Sequence, residues 1–115
     1  EHFAGAFPVW LSPVQVMVAP VSEHHVAFAE ERVATLRAAG IRADVDRSNE
    51  TVGKKIRNAE LQKIPYTVVV GDKEKDGGEW QIRVRSEKDQ PRMSEGAFIA
   101  AVTDKITHRT LDAQL

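Results

Sequence analysis

Residues 41–70, IRADVDRSNETVGKKIRNAELQKIPYTVVV, decide the fold. The opening IRADVD (41–46) reads as a short strand. SNET then precedes a predicted helix over about 52–62, with Val52, Ile56 and Ala59 on the inward side. YTVVV (66–70) is apolar almost throughout, as a strand covered on both faces must be. Strand, helix and strand at this spacing form one right-handed crossover between parallel strands. Working upstream, VQVMVAP (14–20) is a valine-rich strand. Ser22 is placed to cap a helix with Val26, Ala29, Val33 and Leu36 on one face, and Gly40 stands where a left-handed C-terminal residue belongs. That adds a second crossover and makes three parallel strands.

Downstream the pattern changes. Asp76-Gly77-Gly78 reads as a tight turn, because its central residues accept positive φ. From Glu79, the residues Trp80, Ile82 and Val84 alternate with Gln81, Arg83 and Arg85. The predicted unit is an antiparallel hairpin, residues 73–76 pairing with 79–85. Ser94 then caps a last helix with Phe98, Val102 and Ile106 as its apolar stripe. The predicted fold is α/β, a five-stranded mixed sheet with three helices. Residues 1–12 (EHFAGAFPVWLS) carry neither period and read as the tail of something larger, which leaves 13–115 as the domain. Trp10 and Trp80 read as core residues.

The chain has 115 residues, 42% hydrophobic and 29% charged. This is the balance of one globular domain able to bury a core without staples. No apolar run is long enough to span a bilayer and no signal pattern opens the chain, so an intracellular, cytoplasmic protein without a membrane partner is expected. With no cysteine, disulfides and thiolate metal sites are excluded. A net charge of −1 argues against a sequence-independent nucleic-acid binder and gives no reason to expect DNA as a partner.

Ligands of open α/β sheets bind beyond the carboxyl ends of the parallel strands. Those ends are Pro20-Val21-Ser22, Asp46-Arg47-Ser48-Asn49 and Gly71-Asp72-Lys73-Glu74. With Gly77 and Gly78 as the hairpin loop, Asp72 faces Arg83 and Glu74 faces Gln81. Glu74 and Arg83 are then diagonal neighbours, which on its own reads as a surface ion pair worth at most about 1 kcal/mol. Lys54, Lys55, Arg57 and Lys63 form a basic patch around the second helix, more simply a solvated face than a phosphate contact. His24 and His25 are adjacent, lack helical ligand spacing and read as solvated. Asp44 and Asp46 share a strand face and read as a polar edge rather than a magnesium site. Gly71-Asp72-Lys73 lacks the spacing of a phosphate loop. No nucleophile stands with a base, so no catalytic residue and no metal site is predicted.

Three stretches carry a family resemblance. EHFAGAFPVWLSPVQV resembles the junction between the catalytic and C-terminal domains of threonyl-tRNA synthetases. The run from Ala39 to Glu74, with Asn49-Glu50, Gly53, Lys55-Ile56-Arg57 and Pro65-Tyr66, is similar to that family's anticodon-binding domain, as are IRVR (82–85) and MSEGAFIAAV (93–102). The Gly-x-Lys-Ile-Arg run and GDKE are shared with prolyl, histidyl and glycyl relatives. The resemblance implies a non-catalytic module that recognises the middle and last anticodon bases, G and U, of threonine tRNA. By motif, the anticodon-binding positions are Asn49, Glu74 and Arg83, and the candidate phosphate contacts are Arg47, Lys54, Lys55, Arg57, Lys73 and Arg85. A carboxylate such as Glu74 accepts guanine's N1–H and N2–H, a guanidinium such as Arg83 suits O6 and N7, and the amide of Asn49 matches uracil. Ser48 stands where bacterial relatives often carry arginine, with Arg47 one place earlier.

The resemblance further implies that residues 1–12 end a catalytic domain, that ATP, magnesium and zinc belong to that domain and none to this one, and that the whole ligase is a homodimer. The rival readings are an anticodon-binding-like domain of a non-catalytic accessory or regulatory protein, and the corresponding domain of a prolyl-tRNA synthetase. A small-molecule or response-regulator-like domain is disfavoured by the alternating segment after the third strand.

Overall fold

The computed structural model describes residues 12–84 and 91–108. The chain runs β1 (Val16–Pro20), a 3-10 turn (Glu23–His25), α1 (Val26–Ala38), β2 (Ala43–Val45), α2 (Val52–Leu61), β3 (Tyr66–Val70), α3 (Asp72–Lys75), β4 (Trp80–Val84), β5 (Arg92–Met93) and α4 (Glu95–Thr107). The five strands form one sheet in the order β2-β1-β3-β4-β5. β1 pairs in parallel with β2 and β3, while β4 runs antiparallel to β3 and β5 antiparallel to β4. The expected mixed sheet and its three long helices are present, with α3 as an added single turn. Among the described residues no helix is long and apolar enough to cross a membrane.

The alternation of the strands sorts their side chains onto two unequal faces. Val16, Val18, Tyr66, Val68, Val70, Trp80, Ile82 and Val84 pack with Ala29, Val33 and Leu36 of α1 and with Phe98 and Val102 of α4. Phe98 is the hub. Its ring meets Tyr66 edge-on at 5.7 Å and Trp80 at 6.0 Å, contacts worth about 0.5–1.5 kcal/mol each beyond their burial. The opposite face has a smaller cluster, Met17 with Ala59 and Ile64, because α2 packs there on β1 and β3. Thr67 of β3 is buried on that side, whereas Gln81 of β4 and Arg92 of β5 are exposed.

The helix ends follow local chemistry. Ser22 accepts from His24 N–H and so caps the 3-10 turn that leads into α1. Thr51 accepts from Lys54 N–H at the start of α2, and Ser94 from Ala97 N–H at the start of α4. α1 closes through Ile41 N–H to Leu36 O and Gly40 N–H to Arg37 O, both 3.0 Å, with Gly40 at φ +89°. α2 closes the same way, Ile64 N–H to Ala59 O at 3.1 Å and Lys63 N–H to Glu60 O at 3.0 Å, but the left-handed residue is Lys63, at φ 62°.

The predicted hairpin is not formed. Residues 72–75 make a helical turn instead of a strand. DKEK holds no β-branched or aromatic residue and favours a helix over a strand. Gly77, at φ +92°, donates to Glu74 O; it terminates α3 rather than turning a hairpin, since both jobs call for a residue with positive φ. β4 therefore pairs directly with β3, Thr67 opposite Arg83 and Val68 opposite Ile82. The fifth strand is Arg92–Met93 on its other side.

Candidate functional site

At the carboxyl edge of the sheet, the ends of β1 and β3 are fastened side by side. Val21 N–H donates to Val70 O at 2.9 Å, and a Cβ placed on Gly71 would lie 3.0 Å from Val21 Cγ2. His25 Nε2 meets Asp72 Oδ1 at 2.8 Å. The loop after β2 completes this edge, shaped by Ser48 N–H donating to Asp46 Oδ1 at 3.0 Å and by the Thr51 cap. Asn49 lies in that loop, exposed, and its amide is unengaged among the described residues.

Glu74 is the third residue of α3. Its Oε1 accepts from Gly71 N–H at 2.9 Å, which steadies the carboxylate at the strand end. It lines a cleft of about 440 Å³ together with Phe28, Arg32, Trp80 and Glu95, all on the α1 and α4 side. Arg32 is held there by a forked bond to both oxygens of Glu95, at 2.7 and 2.9 Å, and its guanidinium sits 5.4 Å from the centre of the Phe28 ring.

Arg83 stands elsewhere. It alternates with Ile82 and Val84, which face the main core, so it projects to the α2 side of the sheet, half-buried opposite Thr67. The structure therefore does not make Glu74 and Arg83 diagonal neighbours, and Asp72 does not face Arg83. Both expectations depended on the hairpin that α3 replaces. Arg92 pairs with Gln81 and shares the face of Arg83, one diagonal step away, a Cα separation of roughly 7–8 Å. Sequence reasoning missed Arg92 because a strand of two residues has no alternation to read.

The basic candidates divide. Lys55 is buried at 4% exposure and donates through Nζ to Pro20 O at 3.1 Å, so it ties α2 to the end of β1 and is no surface phosphate contact. Helical geometry brings this residue inward and leaves its neighbour Ile56 only half-buried; the lysine's charge hid that in the sequence. Lys54 pairs with Glu50 at 3.3 Å. Arg47 is bound to Glu30 at 2.8 Å and lies 3.7 Å from Asp44. The Glu30 hydrogen bond raises its pKa above the ordinary arginine value. Arg57 lies on the exposed flank of α2, lining a shallow cleft with Thr51, Gly53, Lys54 and Asn58. Lys73 falls in α3, but its side chain, like the whole of Arg85 and of Trp10, lies outside the described residues.

A contrast emerges among the arginines. Arg32, Arg37, Arg42 and Arg47 are each held by a carboxylate or a backbone carbonyl. Arg57, Arg83 and Arg92 have no polar partner among the described residues. Arg83 and Arg92 lie on β4 and β5, on the sheet face that α2 covers at β1 and β3, and Arg57 on the exposed flank of α2 itself. A guanidinium without a protein partner retains its full fork of donors for a ligand's acceptors.

His25, expected to be solvated, is 7% exposed. Its Nδ1 lies 3.0 Å from Ser22 Oγ, which makes a Ser22–His25–Asp72 chain. The connectivity is the reverse of a nucleophilic triad, where the serine meets Nε2 and the carboxylate meets Nδ1. Ser22 Oγ is also occupied as the acceptor of His24 N–H at 3.3 Å, and the side chain of Asp72 is 89% exposed. Among the described residues no group of three or more metal-ligating side chains converges.

Residues 15–105 match the family described as the anticodon binding domain. The chain is 46% identical over 111 residues to the threonine–tRNA ligase of Desulforamulus reducens, covering 96% of this chain and 18% of that one. It is 45% identical over 112 residues to the threonine–tRNA ligase of Acidobacterium capsulatum, covering 97% of this chain and 16% of that one. The fold matches the RNA binding domain of threonyl-tRNA synthetase from Cryptosporidium parvum with a TM-score of 0.81 at 30% identity, over 90% of this chain and 26% of that one. Prolyl-tRNA synthetase from the same organism matches with a TM-score of 0.76 at 22% identity over 90% of this chain and 22% of that one, a likeness of fold alone. The chain thus spans between 16% and 18% of the length of the two curated relatives.

Proposed function

From the premise that this chain belongs to the anticodon-binding domain family, we propose that it is the anticodon-reading domain of a threonyl-tRNA synthetase and recognises the middle G and last U of threonine tRNA. The observation that carries this reading is the 46% identity to a threonine ligase across 96% of the chain. On this reading residues 1–12 close a catalytic domain and 13–115 form the reading domain. ATP, magnesium and zinc belong to the former, and the whole enzyme works as a cytoplasmic homodimer.

The geometry supports a division of labour. Unpaired bases are read on edges splayed away from their stack. The carboxylate of Glu74, fixed at the strand end by Gly71, accepts guanine's two Watson–Crick donors. Arg83 approaches from the α2 side with free donors for base acceptors. Asn49, at the mouth of the loop after β2, offers the amide that complements uracil. Arg57 and Arg92 flank this surface with charge for the phosphates.

The test is aminoacylation by the full-length ligase with threonine tRNA transcripts in which the middle or the last anticodon base is replaced. Arg83→Ala should lower kcat/KM for the unmodified transcript roughly 5- to 150-fold, the value of one guanidinium fork on a base by analogy with DNA contacts. It should also narrow the gap between unmodified and altered transcripts. A variant that discriminates as the parent does would remove Arg83 from the reading site.

A further inference from the structure

The turn that presents Glu74 has four residues, fewer than helical propensity can hold unaided. Its position is set from outside, by the seam between the ends of β1 and β3. The seam begins at Val21 N–H to Val70 O, continues through the contact of Val21 with Gly71, and ends at His25 and Asp72. His25 closes the 3-10 turn ahead of α1 and is buried. Asp72 is the first residue of α3 and lies two residues before Glu74.

Given the anticodon-reading role of Glu74 on which it rests, we infer that His25 is a positioning residue for anticodon reading, acting through Asp72 to fix the turn that carries Glu74. Both ring nitrogens are placed for this. With a neutral ring, Ser22 O–H donates to Nδ1 and Nε2–H donates to Asp72. With a protonated ring, Nδ1–H donates to Ser22 Oγ and Nε2–H still donates to Asp72, because a hydroxyl serves as either donor or acceptor. The tie to α3 is therefore kept in both protonation states, as a clamp requires. The far end of the tie, Asp72, is largely in water, where such a bond adds little to global stability. Its effect falls on where the turn sits rather than on whether the domain folds.

The test uses the full-length ligase. kcat/KM is measured for the unmodified transcript and for one with the middle base changed, each normalised to the ATP–pyrophosphate exchange of the same preparation. His25→Asn places its amide near Nδ1 and keeps the Ser22 end only; His25→Gln reaches the Nε2 position and keeps the Asp72 end. His25→Asn and Asp72→Ala should each lower normalised kcat/KM roughly 2- to 10-fold, through KM for tRNA, and should weaken middle-base discrimination. The double variant should be no worse than either single one, and His25→Gln should restore most of the loss. Glu74→Gln, assayed alongside, tests the reading underneath. If Glu74→Gln leaves discrimination intact, the role of Glu74 falls and the inference falls with it. If Glu74→Gln weakens discrimination while His25→Asn does not, or if His25→Gln is as impaired as His25→Asn, the reading of Glu74 stands and the clamp is wrong.

Discussion

Glu74 and Arg83 carry the anticodon-reading proposal from different sides, the carboxylate at the strand end and the guanidinium three rungs down β4 on the α2 face. Side chains that share no partner contribute independently. A double-mutant cycle of Glu74→Gln and Arg83→Ala, scored by kcat/KM for threonine tRNA, should therefore be additive to within about 0.5 kcal/mol. A coupling well above that would mean that one base bridges both groups. The basic residues of α2 separate in the same residue-by-residue way. Lys55→Met removes the donor to Pro20 O and should cost about 1–3 kcal/mol of stability, the penalty for a buried carbonyl left without its partner. Arg57→Ala touches no protein partner among the described residues and should change stability by less than about 0.5 kcal/mol while weakening tRNA binding. Urea unfolding and filter binding of the two variants check this; the reverse pattern would restore Lys55 as an RNA contact.

At the scale of the element, α1 and α2 end in the same hydrogen-bond motif with different residues at its left-handed position, Gly40 in one and Lys63 in the other. The residue that follows in each case, Ile41 or Ile64, is buried and supplies the apolar contact that goes with this closure. A side chain with a Cβ is disfavoured there by about 1–2 kcal/mol, offset in part by the greater freedom that glycine has in the unfolded chain. Lys63→Gly should thus raise stability by about 0.5–1 kcal/mol, and Gly40→Ala should lower it by about 1–2 kcal/mol. Both are read as shifts of the urea midpoint at constant m. A loss of stability in Lys63→Gly would show that the lysine side chain contributes more than its backbone strain costs.

For the molecule as a whole, a net charge of −1 coexists with guanidinium groups that have no polar partner among the described residues, at Arg57 on the exposed flank of α2 and at the diagonal neighbours Arg83 and Arg92. Counter-ion release depends on the phosphates engaged rather than on net charge. If Arg57 and Arg92 each neutralise one phosphate of the single-stranded loop while Arg83 takes base acceptors, log affinity for an anticodon stem-loop should fall with log salt at a slope of about −1.4. Titrations across a range of potassium chloride measure this, and a slope near zero would show that phosphate contacts contribute little. Replacing Arg57 and Arg92 by glutamine should flatten the dependence.

Much of the fold was legible in residues 14–70 because two crossovers impose matched periods on strand and helix, and because Ser22 and Gly40 mark element ends by chemistry that acts within a turn. The final helix was readable for the same reason, through Ser94 and the spacing of Phe98 and Val102. By itself the sequence determined these elements, the parallel sense of the first three strands and the common face of Trp80, Ile82 and Val84, while the order of the strands came from the tertiary structure. The turn signal after β3 left a choice open. Gly77 provides the positive φ that a hairpin turn and a helix end both need, and the helical preference of DKEK goes with the helix end. Only the tertiary structure shows β3 taking β4 as its direct partner. That one choice parted Glu74 from Arg83 and brought Arg92 to the open face. The inward placement of Lys55 and the burial of His25 against Ser22 and Asp72 were likewise tertiary decisions. In both, a polar group left water only because another element supplied its hydrogen-bond partner, and no local pattern in the chain records which distant atom that is.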